Sequence, residues 1–594
     1  MSIVMSQLSR GARAKKSAQE HKPISGGLCN NWRLACQEFL SRETLPALHA
    51  GDSPCWIALQ FAFAARRQAA IVPVMKLSVY TVGMTASLLI LLAGGIVHTL
   101  YGSAAFGSDH AWGNDDAYIS YRYAENLAHG NGLVFNRGEK VEGYSNFLYV
   151  VLMAPAFFLT DRDGIYFFSV FLNLVFAAGA LLLFGKFLRA ELGETRAVMG
   201  SLLVALCLPW WVAVASGLET SLVLLLTVAI WVRTELVVRD DARPPVVLLS
   251  LLMILSLLAR ADGFVVPLLA ILYMLLQRRF RAAVACGLPL AASWSLYEVW
   301  RYHYYGYLLP NTYYVKVVGS LPVRLEHAVG QLAIIAFMEG FLPYLLILSL
   351  AAVIFLVRVS KRAEPVSRGL RFDVLLGAGW TAYWLYIGGD HFLDRFLLIL
   401  CPLGIYALFR FFSGRANTEA VMFVVVLIAI LQIGPPWLGD PRFHYRVNKY
   451  DCWITVGKFL KEKYPGKSLA TAAIGKVPFF SGAYTIDELG LADSVIAHES
   501  MAQQKFDPGH TKYDPDYVLS RQPDLIVEWL TEEHDLAYGI TKSKYEKAGY
   551  QLSYLFCTNE NPPPIRVVAV TGRDDQAIEY LRAHGYNYAV VEKR

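Results

Sequence analysis

The sequence lacks the short motifs by which many soluble proteins bind nucleotides or zinc. It contains neither a GxGxxG stretch nor a GxxxxGK stretch followed by Ser or Thr, the glycine-rich loops that cradle phosphates. Its eight cysteines form no CxxC pair and have no zinc-like spacing. Internal repeats and low-complexity tracts are also lacking. The chain therefore carries no nucleotide-binding signature and no sequence sign of a structural zinc site.

Charged residues are scarce. They make up 17% of the 594 residues, whereas 55% are hydrophobic, and the mean hydropathy is +0.39. The net charge of +6 is small, and no block of Lys and Arg indicates a nucleic-acid partner. This composition is typical of a polytopic membrane protein with a water-soluble part attached.

The N-terminal stretch 1–74 has no apolar core followed by a small-residue cleavage site, so it does not read as a signal peptide. A clean apolar segment begins only after Met75 and Lys76. We therefore expect 1–74 to be an N-terminal extension, either dispensable or a disordered cytoplasmic tail, and the membrane domain to occupy 75–438.

The placement of Lys and Arg predicts about eleven transmembrane helices, with the N-terminus cytoplasmic and the C-terminus outside. This assignment treats the apolar segment 146–160, which is too short to span, as an interfacial or re-entrant helix. The expected location is the bacterial plasma (inner) membrane. The predicted spans are 79–101, 165–185, 197–215, 221–238, 246–258, 265–276, 282–300, 341–357, 372–387, 397–412 and 421–437.

The C-terminal segment 439–594 reads as a periplasmic α/β domain, because strand-like runs alternate with helical ones. Cys452 and Cys557 both fall in it and could pair outside the cytoplasm, although spacing does not establish connectivity. The predicted strands are 468–474, 524–529, 565–570 and 588–591, and the predicted helices are 454–463 and 575–583.

With this topology, polar residues from several separate loops fall on the same outer side of the membrane. The most prominent stretch is Trp112–Phe147, within a candidate catalytic loop 102–160, where two aspartates stand side by side. Ionisable residues that converge at the ends of spans indicate a functional site. The candidate residues are Asp115, Asp116, Tyr121, Arg122, Glu219, Arg260, Asp262, Asn311, Lys316, Asp390, His391 and Arg395.

These residue types suit a transfer reaction on a phosphate-bearing donor. Asp115 or Asp116 could take the proton from an attacking hydroxyl. The cationic candidates Arg122, Arg260, Lys316, His391 and Arg395 would bind the phosphate or sugar of the donor. Tyr121, Glu219, Asp262, Asn311 and Asp390 would contact the acceptor or a sugar. Because no nucleotide site is present, a polyprenyl-phosphate sugar embedded in the lipid is the expected donor.

The loop NDDAYISYRYAENLAHGNGLVFNRGEKVEGYSNF resembles the first external loop of GT-C membrane glycosyltransferases. It is most similar to the branch that contains the mycobacterial terminal β-(1→2) arabinofuranosyltransferase family. SGLET, RADG, PNTYYVK, GGDHFLDRFLL and the stretch from DELGLADSVIA to GHTK recur in that order. The resemblance covers roughly Met75 to the mid-500s. It implies a GT-C fold, a base at Asp115 or Asp116 on short external helices near 117–129 and 146–160, and a decaprenyl-phosphate arabinofuranose-type donor.

Each candidate also has a structural interpretation. The aspartate pair could cap the helix that begins near Ala117, and Lys316 could extend its ammonium to the interface. Glu219 and Asp262 could be solvated turn residues, and Arg395 could form an ion pair with Asp394 or Asp390. Asp390 and His391 form no metal ligand set, so neither a metal nor another cofactor is indicated.

The sequence therefore predicts an enzyme that moves a sugar, with arabinofuranose as a candidate, to a cell-envelope glycan, a lipid-linked glycan or a surface protein. The alternatives are a transporter or flippase of lipid-linked sugars and a non-catalytic assembly protein. A transporter is expected to place ionisable groups at mid-membrane and to contain internal repeats.

Overall fold

The computed structural model describes residues 78–106, 113–239, 246–338, 341–360, 370–390, 395–413, 422, 424–430, 452–500, 506–559 and 565–594. The expected extension 1–74 and the candidate His391 lie outside these residues.

The first part of the chain is helical. Four helices in the described residues are long and apolar enough to cross a membrane, and two bent helix pairs raise this number to six at most. A multi-pass helical membrane protein is therefore confirmed, whereas the predicted count of about eleven spans is not. The helices are α1 Val79–Phe106, α2 Asp115–Ala128, α3 Phe147–Met153, α4 Ile165–Leu192, α5 Glu194–Ala205, α6 Leu208–Ala215, α7 Thr220–Arg239, α8 Val246–Ala259, α9 Val265–Leu276, α10 Phe280–Tyr305, α11 Asn311–Lys316, α12 Leu321–Met338, α13 Leu342–Ser360, α14 Phe372–Ile387 and α15 Leu400–Phe411.

Helices α9 and α14 have the bounds of the corresponding predicted spans. The predicted span 197–215, in contrast, is divided between α5 and α6, which meet at 55°. Pro209 lies in the first turn of α6. Proline has no N–H to donate, and its ring clashes with the backbone of the preceding turn. Pro209 therefore favours a break between α5 and α6.

Two short helices flank the polar loop, as the sequence predicts. Helix α2 is almost entirely buried although it is rich in tyrosine and charged residues. Gly130 and Gly132 follow it with φ angles of 75° and 87°, a conformation that glycine adopts at little cost and that ends the helix. The segment predicted to be interfacial is α3 followed by a 3-10 turn at Ala154–Phe158.

The C-terminal part forms a mixed six-stranded sheet with flanking helices, which confirms the predicted sheet domain. The strand order is β2-β1-β3-β6-β4-β5, parallel between β2, β1 and β3 and antiparallel for the remaining pairs. The elements are α16 Trp453–Lys463, β1 Leu469–Thr471, α17 Lys476–Ser481, β2 Thr485–Asp487, α18 Ser494–His498, α19 Pro515–Ser520, β3 Leu525–Trp529, α20 Lys542–Lys547, β4 Tyr550–Cys557, β5 Val567–Ala569, α21 Asp575–Ala583 and β6 Tyr586–Lys593.

Strands β2 and β4 are absent from the sequence prediction. β2 has only three residues, which is too short for alternation to be visible. β4 has eight, and its aromatic and aliphatic residues are a signal that sequence reasoning could have used. Cys452 and Cys557 belong to two different hydrophobic clusters of this domain, and no disulfide joins them.

Helix α2 docks directly onto the sheet domain. The Asp115 carboxylate accepts hydrogen bonds from the backbone N–H groups of Gly475 at 3.0 Å and Lys476 at 2.7 Å. Two turns further along α2, the Arg122 guanidinium donates to the Ala483 carbonyl at 2.7 Å. The Tyr118 ring packs between these contacts, 5.4 Å from the ring of Phe479. The polar loop and the sheet domain therefore hold each other in place.

Gly475 is required by this close approach. A Cβ at this position would lie 1.9 Å from the Asp115 carbonyl oxygen, so Gly475→Ala should force the two backbones apart. We expect a loss of about 1–3 kcal/mol of stability, the usual cost of overpacking, measured as a lower melting temperature of the purified protein in detergent. In the comparison variant Gly330→Ala the new Cβ meets nothing within 4 Å, and because Ala replaces Gly at an exposed helix position it should melt at or slightly above the temperature of the parent. Equal melting temperatures for both variants would contradict this docking geometry.

Candidate active site

A cavity of about 390 Å³ lies where several helices of the membrane domain end. Its apolar and aromatic lining residues include Leu257, Phe264, Trp294, Tyr297 and Tyr383. The charged lining residues are Arg260, Asp262, Glu298, Arg301, Lys316, Asp390 and Arg395. A cavity lined by both apolar and charged residues suits a molecule with an apolar chain and an anionic head group.

Arg260 and Asp262 come from the turn between α8 and α9. The Arg260 Nε lies 3.2 Å from Asp262 Oδ1 and 3.8 Å from Glu219 Oε1. Its guanidinium carbon lies 3.6 Å from the centre of the Phe396 ring, a cation–π contact that fixes the plane of the group. Burial raises the pKa of the Asp262 carboxyl, and the positive charge of Arg260 opposes that rise.

Asp390 and Arg395 form a second buried pair, one of the structural interpretations considered for Arg395. One edge of the Arg395 guanidinium faces Asp390: Nε donates to Oδ2, and Nη2 donates to Oδ1 at 3.0 Å. Burial alone would raise the pKa of Asp390, but the charges of Arg395 and Lys316 outweigh it and lower the pKa to about 2. Asp390 is therefore an anion throughout the physiological range and orients Arg395 at the cavity wall.

Lys316 lines the cavity and contacts Asp116, which is not itself a lining residue. The Lys316 Nζ lies 3.8 Å from Asp116 Oδ2, and the side chains are 24% and 30% exposed. These values exceed those of the Arg260, Asp262, Asp390 and Arg395 side chains. Among the candidate charges at this cavity, Asp116 and Lys316 are thus the most accessible pair.

Three further candidates are buried and connect the surrounding loops. Glu219 accepts a hydrogen bond of 2.7 Å from the Asn146 amide. The Tyr121 hydroxyl lies 2.9 Å from the Gly217 carbonyl oxygen, so it holds the loop after α6 against α2. Asn311 donates to the Gly490 carbonyl at 3.3 Å and thereby attaches α11 to the sheet domain.

Arg122 lines a second cavity, between α2 and the sheet domain, and not the 390 Å³ cavity. The candidates that are lining residues of neither cavity are Asp115, Asp116, Tyr121, Glu219 and Asn311. Within the part of the chain that the structure describes, no group of three His, Cys, Asp or Glu residues is arranged to hold a metal ion.

Sequence reasoning missed a buried ion pair beside the cavity. Arg301, at the end of α10, contacts Glu142 of the external loop at 3.2 Å and Glu298 at 2.9 Å. The available signal was the aromatic-rich segment around Arg301, but nothing in the sequence connects it to Glu142. Burial raises the pKa of Glu142 to about 7, although Arg301 opposes the rise.

This raised pKa predicts a pH-dependent stability. Between its ordinary value of 4.5 and about 7, the folded protein keeps a proton on Glu142 that the unfolded chain releases. The stability contributed by Glu142 is therefore present below pH 4.5 and is lost as the pH rises through 7. We expect Glu142→Gln, which mimics the protonated form, to reduce the fall in melting temperature between pH 5 and pH 8. The exposed Glu462→Gln should leave that fall unchanged, and the same result for Glu142→Gln would refute the assignment.

Comparison with known proteins gives three kinds of similarity. A family model described as a domain of unknown function (DUF8728) matches residues 443–588. The chain is 26% identical over 432 residues to the terminal beta-(1->2)-arabinofuranosyltransferase of Mycobacterium tuberculosis. The matched region covers 62% of this chain and 67% of that protein.

Among solved structures, the apo form of the Archaeoglobus fulgidus oligosaccharyltransferase superposes with a TM-score of 0.53 at 12% identity. The match covers 83% of this chain and 75% of that one. ArnT from Cupriavidus metallidurans bound to undecaprenyl phosphate has a TM-score of 0.48 at 14% identity, over 82% of this chain and 99% of that chain. The resemblance predicted from the external loop is thus confirmed: this chain has the fold of the GT-C membrane glycosyltransferases and is similar in sequence to a mycobacterial arabinofuranosyltransferase.

Proposed function

We propose that the protein is a GT-C glycosyltransferase that moves a sugar from a polyprenyl-phosphate donor to an acceptor on the outer face of the membrane. The observation that carries this proposal is the cavity lined by apolar, aromatic and charged residues, with the lining residue Lys316 beside the partly exposed Asp116. A prenyl chain matches the apolar lining residues, and a phosphate matches the cations.

Lys316 is the residue that we assign to the donor phosphate. Arg260 is engaged by Asp262, and Arg395 is engaged by Asp390, so their charges are largely compensated. The Lys316 ammonium, 3.8 Å from Asp116, has three donors on a flexible stem and can turn from the aspartate to a phosphate oxygen. Arg260 and Arg395 then line the cavity wall, each held in place by its carboxylate partner.

Asp116 is the residue that we assign as the general base. Both carboxylate oxygens of Asp115 accept backbone hydrogen bonds from the sheet domain, which gives Asp115 a positioning role. Asp116 is partly exposed and lies beside the cation that would bind the phosphate. A general base must come within hydrogen-bond reach of the proton that it takes. Of the two aspartates, it is Asp116 whose carboxylate has no backbone hydrogen bond from the sheet domain and is open to an acceptor hydroxyl.

In the proposed step, an acceptor hydroxyl oxygen forms a bond to the anomeric carbon of the sugar. The bond between that carbon and the phosphate oxygen breaks, and its electron pair stays on the polyprenyl phosphate. The hydroxyl proton passes to Asp116. Lys316 stabilises the negative charge that develops on the leaving phosphate.

Arabinofuranose is the sugar that we propose to test first, because the relative at 26% identity is an arabinofuranosyltransferase. The acceptor is proposed to be an envelope glycan, a lipid-linked glycan or a surface protein. Pro508 of the sheet domain lines the cavity, which supports a role for this domain on the acceptor side.

Replacement of the base tests the assignment. Asp116→Asn should reduce transfer from synthetic polyprenyl-phosphate sugars by about 10²–10⁴-fold, the usual contribution of a general base, with the melting temperature unchanged. Asp115→Asn should instead lower the melting temperature, because its contacts to Gly475 and Lys476 weaken. The assay is run with a panel of donor sugars and with membranes of verified expression. Full activity of Asp116→Asn with every donor that the parent uses would exclude Asp116 as the base.

Replacement of Lys316 tests whether this residue binds the donor phosphate. Lys316→Met should weaken binding of the donor about ten-fold or more, since it removes a charge-assisted contact of roughly 1.5–3 kcal/mol. Lys316→Arg retains the charge and should recover part of the affinity. The measurement is KM for the polyprenyl-phosphate sugar at fixed acceptor concentration. An unchanged KM in Lys316→Met would place the phosphate elsewhere.

A further inference from the structure

The second cavity lies between α2 and the sheet domain and has a volume of about 240 Å³. Three arginines, 122, 137 and 162, line it together with a single carboxylate, Glu125. The remaining polar lining residues are Asn126, Asn136 and Tyr484. The lining therefore has more positive than negative charge.

Glu125 does not neutralise Arg122. Both carboxylate oxygens of Glu125 accept hydrogen bonds from Arg162, from Nε at 2.8 Å and from Nη2 at 2.9 Å. Arg122 has only neutral acceptors: Nε donates to the Phe135 carbonyl at 2.8 Å, and Nη2 donates to Asn136 at 3.1 Å and to Ala483.

One nitrogen of Arg122 is left without a partner. Arg122 is 7% exposed, and its Nη1 is buried with no hydrogen bond. Burial, with the nearby charge of Arg162, lowers the pKa of this guanidinium to about 9. Buried donors and charges are normally satisfied, so the Arg122 guanidinium at this cavity is suited to an anionic ligand.

The nearby carboxylate of Glu139 does not cancel the excess positive charge of the cavity lining. Glu139 contacts the cavity residues Asn136, at 3.0 Å, and Tyr484. It is also 4.0 Å from Arg521, whose Nη2 donates to the Tyr484 hydroxyl at 2.8 Å. Glu139 thus has a cationic partner of its own outside the cavity.

We propose that this cavity is an anion-binding subsite, which takes one carboxylate or phosphate group between Arg122, Arg137 and Arg162. A planar carboxylate or a phosphate can accept hydrogen bonds from two guanidinium groups at once. Arg122 and Asp116 are six residues apart on α2, which corresponds to about 9 Å along the helix axis. The subsite is therefore near the proposed reacting centre but distinct from it. The anion is either free phosphate or an acidic group carried by a sugar.

Binding without turnover tests the subsite independently of the proposed function. The full-length protein in detergent is titrated with inorganic phosphate, glucuronic acid or glucose at constant ionic strength, and the shift in melting temperature gives the affinity. We expect phosphate or glucuronic acid to stabilise the protein and glucose to have no effect. A preference for glucuronic acid indicates an acidic sugar, and a preference for phosphate indicates the free ion.

Variants assign the binding to this cavity. Arg122→Lys should weaken the affinity about ten-fold, because it removes the fork of donors around a charged ligand. Arg137 is exposed, so Arg137→Met should fold normally and also weaken binding. The exposed Arg573→Met should bind as the parent does. Equal affinity in Arg137→Met and the parent, loss of binding in Arg573→Met, or no stabilisation by either anion would overturn the proposal.

Discussion

Charges buried where membrane helices end must be paired, and the candidate active site is built on this constraint. A guanidinium removed from water without a partner would destabilise the fold strongly. The chain meets this constraint at the 390 Å³ cavity with Arg260 beside Asp262, Arg395 against Asp390, and Arg301 between Glu142 and Glu298. Each pair also fixes the direction of its side chain, so the cavity wall has a set charge pattern before any ligand arrives.

Helix geometry gives the two adjacent aspartates of α2 different neighbours. Consecutive residues on a helix point in directions about 100° apart, so Asp115 and Asp116 cannot face the same neighbour. Asp115 meets the backbone of the sheet domain, whereas Asp116 meets Lys316. The capping interpretation was wrong in its position, because α2 begins at Asp115 and its N-cap residue is Asn114. The structural role of Asp115 is instead its contact with the sheet domain.

Much of the site could be predicted from the sequence, because topology confines loops to one side of the membrane. Arg260, Asp262, Lys316, Asp390 and Arg395 were singled out in this way, and all of them line one cavity. Arg122 belonged to the same set and lies elsewhere, because a shared side of the membrane does not determine which face of α2 a side chain occupies. The contact of Arg301 with Glu142 could not be predicted, since the two residues are 159 positions apart and only packing brings them together.

The sequence by itself determined the features that depend on local composition. These are the membrane class, the bounds of helices such as Val265–Leu276 and Phe372–Ile387, the alternation of strands and helices after residue 452, and the presence of an aspartate pair in a polar loop. Only the tertiary structure decided which aspartate contacts the sheet domain and which cations line the same cavity. It also showed that Arg122 lines a separate cavity. The length of an apolar segment and the residues of a turn are local properties that can be recognised in the sequence. The pairing of buried charges depends on residues that are distant in the chain, and only packing brings them together.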